Sequence, residues 1–140
     1  MAKALHNPPE MYGMAFPGSS PRHIFRWFGI QLWGRGGEMF TPDMKKVAFN
    51  DEAGVEALAF LNELKEYFQP GYLGQNELDV EKLFRAGKSP CIQYFIRLLR
   101  NAADDNPDWD IIVDFPPVPN KVALGIMDIF GLFKTTPERQ

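Results

Sequence analysis

Twelve prolines and twelve glycines cut this 140-residue chain into short apolar runs, falling singly or in pairs at Pro8-Pro9, Pro17-Gly18, Pro70-Gly71, Pro116-Pro117 and similar points. No very long helix or strand survives such punctuation, because proline removes a backbone donor and fixes φ while glycine supplies turn conformations. The spacing therefore predicts many short elements joined by tight turns. The residues between the breaks are apolar enough for a core: 45% of the chain is hydrophobic and 14% aromatic. A chain this size buries about 68–70% of the surface its unfolded form exposes. It reads as one soluble globular domain, and neither a collagen-like nor a low-complexity composition fits.

Charge and cysteine usage exclude further classes. Fifteen Lys and Arg stand against 18 Asp and Glu, with no basic block longer than Lys45-Lys46, which leaves little to neutralise a phosphate backbone. No nucleic-acid partner is expected. Cys91 stands alone, so no internal disulfide or multi-cysteine zinc site can form, and its apolar surroundings suit a small buried hydrophobe. The first residues, Met1 to His6, contain no apolar signal core, and no stretch reaches the roughly 18 apolar residues of a membrane span. On its face the chain carries no export signal or anchor.

Along the chain, Tyr12 to Phe16 reads as a buried strand closed by Pro17-Gly18. A helix follows from Ser20-Pro21, with the Ser20 hydroxyl as cap and Pro21 at the first helical position, running to Gly34 or Gly36. Its apolar residues cover nearly every face, which predicts a mostly buried helix. Val47-Ala48-Phe49 looks extended. Asn50 then caps an amphipathic helix with Val55, Leu58, Leu61, Leu64 and Phe68 facing inward. A shorter helix spans about Glu77 to Ala86, stopped by Gly87. Pro90 to Tyr94 reads as a strand, Phe95 to Ala103 as a helix, and Trp109 to Phe115 as another strand. Pro116 to Asn120 is a stiff connector, and Val122 to Phe133 is one more run with β character. The order is that of an α/β fold around a mixed or parallel sheet.

Hydrolytic, redox and metal signatures are missing. The two histidines, His6 and His23, are far apart, and no GxSxG, GxGxxG-after-strand, HExxH or P-loop pattern occurs. Asp104, Asp105, Asp108 and Asp110 cluster in a turn that needs polar residues. Two strand-to-helix junctions carry more chemistry. Ser19-Ser20-Pro21-Arg22-His23 gathers hydroxyls, a guanidinium and an imidazole at one helix start, and Gln93-Tyr94-Phe95 hands a strand over to the next helix. In open α/β sheets ligands sit outside the carboxyl ends of strands, so the two junctions could line one cleft. The plainer reading has Ser20 as a cap, Phe95 and Trp27 as core, and Arg22 and His23 as a wet first turn.

A series of motifs resembles a known family. Met11-Tyr12-Gly13-Met14-Ala15-Phe16-Pro17-Gly18, Arg22-His23, Phe25-Arg26-Trp27-Phe28 and Gly36-Gly37-Glu38-Met39-Phe40 come first. Val47-Ala48-Phe49-Asn50-Asp51-Glu52-Ala53-Gly54, Leu83-Phe84-Arg85-Ala86-Gly87-Lys88 and Asn106-Pro107-Asp108-Trp109-Asp110 with Pro116-Pro117-Val118-Pro119 follow in order. Together they resemble the extracellular solute-binding proteins of ABC transporters, the family 1, maltose-binding-like sugar-binding group. The resemblance implies a periplasmic-binding-protein-like (type II) α/β lobe with a mixed sheet flanked by helices. Residues 1–115 would be part of the C-terminal lobe, 116–120 the proline-rich interlobe crossover, and 121–140 a return segment toward the other lobe. The N-terminal lobe, signal segment and closing helices would lie outside this chain.

By the same resemblance the function is capture of a carbohydrate between two hinged lobes and its delivery to membrane permeases. It implies no cofactor, no metal, no catalysis, and a periplasmic or extracellular location, with lipid anchoring open. Ser20, Arg22 and His23 match the sugar-facing loop and helix start. Tyr94 and Phe95 match the position of an aromatic that stacks on the sugar, although the family's Asn-Gly-Pro is absent here. Asp128 falls in the return segment, where Ile126 and Met127 replace the usual glycines. A lobe alone should bind sugar weakly and self-associate or exchange strands. The alternative is a small standalone α/β enzyme or interaction domain in which His23 and Arg22 act on a bound acid.

Overall fold

The computed structural model describes residues 1–126, apart from the side chain of Arg97, so the expected site residue Asp128 and the end of the expected Val122–Phe133 run lie outside the described residues. Among the described residues the helices are α1 (Ala2–Leu5), α2 (Pro21–Gly34), α3 (Glu52–Leu64), α4 (Glu77–Arg85) and α5 (Arg97–Asp105), with 3-10 turns at Lys65–Tyr67 and Tyr72–Gly74. The short α1 was not foreseen, and α5 begins two residues later than its apolar pattern suggests.

Helix α2 starts where Ser20-Pro21 places it, but not by the expected bond. The Ser20 side chain makes no capping hydrogen bond; its carbonyl instead accepts the His23 amide at 3.0 Å and the Ile24 amide at 3.3 Å. The helix is also less buried than its composition suggests. His23, Trp27, Ile30, Gln31 and Leu32 face inward, whereas Ile24 and Phe25 are 43% and 52% exposed. At its far end Gly34 is occupied territory: Val118 sits where a Cβ would go. The amide and side-chain nitrogen of Asn120 donate to the Gly34 carbonyl at 2.9 and 3.1 Å. The proline-rich connector is thus tied to the end of α2.

Helix α3 is capped by Asp51, one residue past the expected Asn50, and the Asp51 carboxylate accepts the Gly54 amide at 2.9 Å. Its inward stripe is also displaced. Gly54 and Ala57 are buried and Leu61 and Leu64 pack on the core, while Val55 and Leu58 are 66% and 62% exposed. Small residues facing α2 let the helix sit close to Leu32 and Met39. The period of three and four is kept, one position earlier at its start.

Helix α4 closes at both ends as its sequence directs. Asn76 Oδ1 accepts the Leu78 and Asp79 amides at 2.8 and 3.3 Å, and Asp79 Oδ2 accepts the Asn76 amide at 3.0 Å. This is a reciprocal capping box. At the other end Gly87 takes φ +69°, and the Lys88 amide reaches back to the Leu83 carbonyl at 2.9 Å, a Schellman arrangement that needs a left-handed residue.

The expected mixed sheet is not formed among the described residues, whose extended pairing consists of isolated bridges. Met14 pairs with Phe68 and Ala15 with Ile92, both parallel; Phe40 pairs with Val47 and Asn7 with Met11, both antiparallel. Tyr12 to Phe16 therefore lies between two neighbours but pairs with each over a single bridge. Pro17 and Pro70 follow at once and cannot donate to a ladder, and Pro90 precedes the Ile92 pairing. The backbone groups of Phe16 turn to a side chain instead: Gln69 accepts its amide at 3.0 Å and donates to its carbonyl at 2.8 Å. Residues 109–115 are a second correction. They form no strand, because no described segment bridges to their backbone, and Ile112 is 82% exposed.

Two clusters form the core. Phe16, Trp27 and Phe68 make the first, with Met14, Leu61, Leu64 and Tyr72 packed on it. The Phe16 and Phe68 rings stack at 4.7 Å and 6°, and Trp27 meets Phe16 edge-on at 4.7 Å. Leu32, Met39 and Ala57 make the second. Cys91 is half-buried, and burial pushes its thiol pKa up, which suits a packing role over a reactive one.

Candidate functional site

The first turn of α2 rests on the segment that leads into α4. The Gly18 amide donates to the Tyr72 carbonyl at 2.9 Å and the Ser19 amide to the Gln75 carbonyl at 3.1 Å. Glu77, the first residue of α4, is thereby brought beneath three basic side chains of α2. A carboxylate is favoured at that end of its own helix, where unpaired amides give partial positive charge.

Glu77 is the centre of the resulting cluster. Its Oε1 lies 3.0 Å from His23 Nε2 and 3.6 Å from an Arg26 nitrogen, and its Oε2 lies 4.0 Å from Arg22. Positions 22, 23 and 26 fall on one side of a helix, so one carboxylate can meet all three. His23 is 5% exposed. Burial lowers its pKa first, Glu77 opposes this, and the charges of Arg26 and Arg22 lower it again. The His23 Nε2 and the Glu77 Oε1 face one another across that 3.0 Å.

Arg26 links this cluster to the second junction. Its guanidinium carbon stands 5.5 Å from the centre of the Phe95 ring, a cation–π distance. Arg22, Arg26, Phe95, Leu124 and Ile126 together line an open concavity of about 380 Å³. The two junctions, far apart in sequence, thus meet at one depression, with Arg22 from the first and Phe95 from the second.

The other expected residues sit elsewhere. His23 is beneath the cluster and does not line the concavity, and Ser20 serves through its carbonyl. Tyr94 is turned toward α4: its hydroxyl donates to Glu81 Oε2 at 2.8 Å. Glu81 also accepts Asn101 at 3.1 Å and Arg85 at 3.4 Å, so Tyr94 belongs to the polar contact that joins α4 to α5. Its ring meets Phe95 edge-on at 5.7 Å. Arg26, Glu77, Leu124 and Ile126 are not among the expected site residues. Arg26 was readable, being one helical turn from Arg22; Glu77 was not, because only tertiary structure brings it there.

A second concavity, about 480 Å³, is lined by Arg35, Asp51, Glu52, Ala53 and Glu56. Arg35 is engaged there by Gln31 and by the Glu56 carboxylate 3.7 Å away, which ties the end of α2 to the start of α3. Among the described residues no group of three His, Cys, Asp or Glu could hold a metal ion, and no helix is long and apolar enough to cross a membrane. The first concavity offers cationic donors, an aromatic face and an aliphatic wall. Such a surface can hold a solute, and its lining residues include no nucleophile with a neighbouring base.

No protein-family model matches the chain, and no curated protein sequence matches it. A solved structure does. The crystal structure of an ABC transporter solute-binding protein from Thermotoga lettingae TMO, bound with alpha-D-tagatose, is similar at 25% identity with a TM-score of 0.60. The similarity covers 71% of this chain and 26% of that one. The chain therefore corresponds to about a quarter of that solute-binding protein.

Proposed function

We propose that the chain is a solute-binding unit of the ABC-transporter type, and that the concavity of Arg22, Arg26, Phe95, Leu124 and Ile126 is where it touches a saccharide. The observation that carries the reading is the convergence of Arg26 and Phe95, 5.5 Å apart, on one depression built from both junctions. Sugar rings present C–H faces to aromatic side chains and hydroxyls to hydrogen-bonding groups. Similarity to a tagatose-bound solute-binding protein supports the same reading.

The finer parts of the proposal follow from that similarity and from the motif series: a hinged partner lobe closing over the ligand, delivery to membrane permeases, and a location outside the cytoplasm. Of the residues expected to contact ligand, Arg22 and Phe95 keep that role, and Asp128 keeps it as a proposal. Ser20, His23 and Tyr94 support the concavity from beside or below.

Saturation-transfer NMR on the chain with D-tagatose and a panel of hexoses tests the reading, since it detects the weak binding expected of one open surface. Signals from at least one sugar, lost in Phe95→Ala, are the expected result. Absence of signal from every sugar, or signals that persist in Phe95→Ala, would overturn it.

A further inference from the structure

The polar lining of the concavity is one-sided. A neutral sugar offers each hydroxyl as both donor and acceptor, and sites built for such groups supply acceptors as well as donors. Among the described residues the polar side chains lining the depression are Arg22 and Arg26, each of which only donates. The Glu77 carboxylate, which pairs with both arginines, does not line the depression, and its oxygens already face His23, Arg26 and Arg22 at 3.0, 3.6 and 4.0 Å.

The local charge is also unbalanced. Among the described residues of the cluster two guanidiniums stand against the one carboxylate of Glu77, so an excess of positive charge remains whichever state His23 takes. The two arginines differ in freedom. Arg26 is held, with 16% of its side chain exposed and its guanidinium carbon 5.5 Å from the Phe95 ring centre; Arg22 is 64% exposed at the rim and is only loosely paired. A fixed guanidinium beside a reaching one suits an anionic group, because planar nitrogen forks match carboxylate and phosphate oxygens. Phe95, Leu124 and Ile126 would cover the uncharged body of the same ligand.

We infer that the saccharide held here carries an anionic group, a carboxylate or a phosphate, that meets Arg22 and Arg26 while its ring lies against Phe95. This rests on the saccharide-binding reading above and narrows it from sugars in general to acidic sugars.

The test is NMR titration of the chain with D-galacturonate, D-galactose 6-phosphate, D-galactose and acetate. At least one acidic sugar should bind about tenfold or more tightly than galactose, the gain expected from a charge-assisted hydrogen bond. Arg22→Gln should erase most of that advantage, weakening the acidic sugar far more than galactose. Since Arg22 is at the rim, this variant is expected to fold, and its amide spectrum checks that it does. The better of galacturonate and galactose 6-phosphate identifies the anionic group. Equal binding of galactose and both acidic sugars would overturn the inference and leave saccharide binding standing. Binding of acetate as tight as galacturonate would leave an anion site but overturn the acidic sugar, and no binding by any sugar would overturn both readings.

Discussion

The side chain of Gln69 does for Phe16 what a neighbouring strand would do: its Oε1 accepts the Phe16 amide at 3.0 Å and its Nε2 donates to the Phe16 carbonyl at 2.8 Å. Gln69 is 2% exposed, and its Nε2 also donates to Gln75 Oε1 at 2.7 Å. The residue thus replaces a ladder pair at the point where Pro17 and Pro70 prevent the ladder from continuing. It also fixes the loop that carries Glu77 beneath α2.

Gln69→Leu keeps much of the volume and removes all three bonds. Two backbone groups of Phe16 are left without these partners in the interior, which costs about 2–4 kcal/mol of stability. The urea unfolding midpoint, followed through the fluorescence of the buried Trp27, should fall accordingly. Gln75→Ala removes two bonds, one from Gln69 and a long one to the Pro70 carbonyl, at a more exposed place and should lower the midpoint by less. Equal midpoints for wild type and Gln69→Leu would show that the clasp contributes nothing.

Two glycines should respond oppositely to alanine. A Cβ at Gly54 would run into the Phe49 backbone carbonyl, so Gly54→Ala should destabilise even though alanine gains about 1 kcal/mol of helix propensity over glycine. Gly74 closes the Tyr72–Gly74 turn with nothing near its Cβ position and no left-handed φ. Gly74→Ala should be neutral or should stabilise by up to about 1 kcal/mol through the unfolded chain. Thermal melts of the two variants check both signs.

What was legible in the sequence was local. Ser20-Pro21 and Gly87 mark helix ends whose signals lie within a few residues, and α2 begins and α4 stops close to where these residues place them. The sheet was not legible, because pairing depends on what lies alongside. The β-branched run at 109–115 has the composition of a strand and, among the described residues, no neighbour to make it one. The stripe of α3 departs from the expected one because apolar periodicity ranks Val55 and Leu58 above Gly54 and Ala57, whereas Gly54 must clear the Phe49 backbone and Ala57 packs against Leu32 and Met39. For the site, Arg22 and Phe95 could be proposed from their junctions. Glu77 could not, since nothing local distinguishes it from an ordinary acidic residue in a first helical turn.

The exposed apolar side chains carry a prediction about association. Val55 and Leu58 are 66% and 62% exposed on α3, and Ile112 and Val113 are 82% and 61% exposed on the unpaired segment. Clustered exposed apolar residues favour contact with another surface, and in a solution of the chain alone the available surface is a second copy. Light scattering should give a mass above that of the monomer at high concentration. Val55→Glu with Leu58→Glu should lower it, and a strictly monomeric mass for the wild type at all concentrations would count against the prediction.

The burial of His23 makes stability depend on pH in a definite direction. His23 has its pKa lowered from 6.5, chiefly by burial and further by Arg26 and Arg22, with Glu77 opposing. The unfolded chain therefore takes up this proton at a higher pH than the folded one. Stability is full above about 6.5, falls as the pH drops below it, and stops falling once the folded imidazole is also protonated. Asp105, held below its ordinary 3.8 by its bond to Arg85, adds a separate loss only as the pH falls through that lower range. Melting temperatures measured between pH 7.5 and about pH 5 should therefore decline for the wild type. In His23→Gln the decline should be much shallower, because an amide can still donate to Glu77 and has no proton to take up. A wild-type profile as flat as that of the variant would mean that burial does not hold His23 neutral.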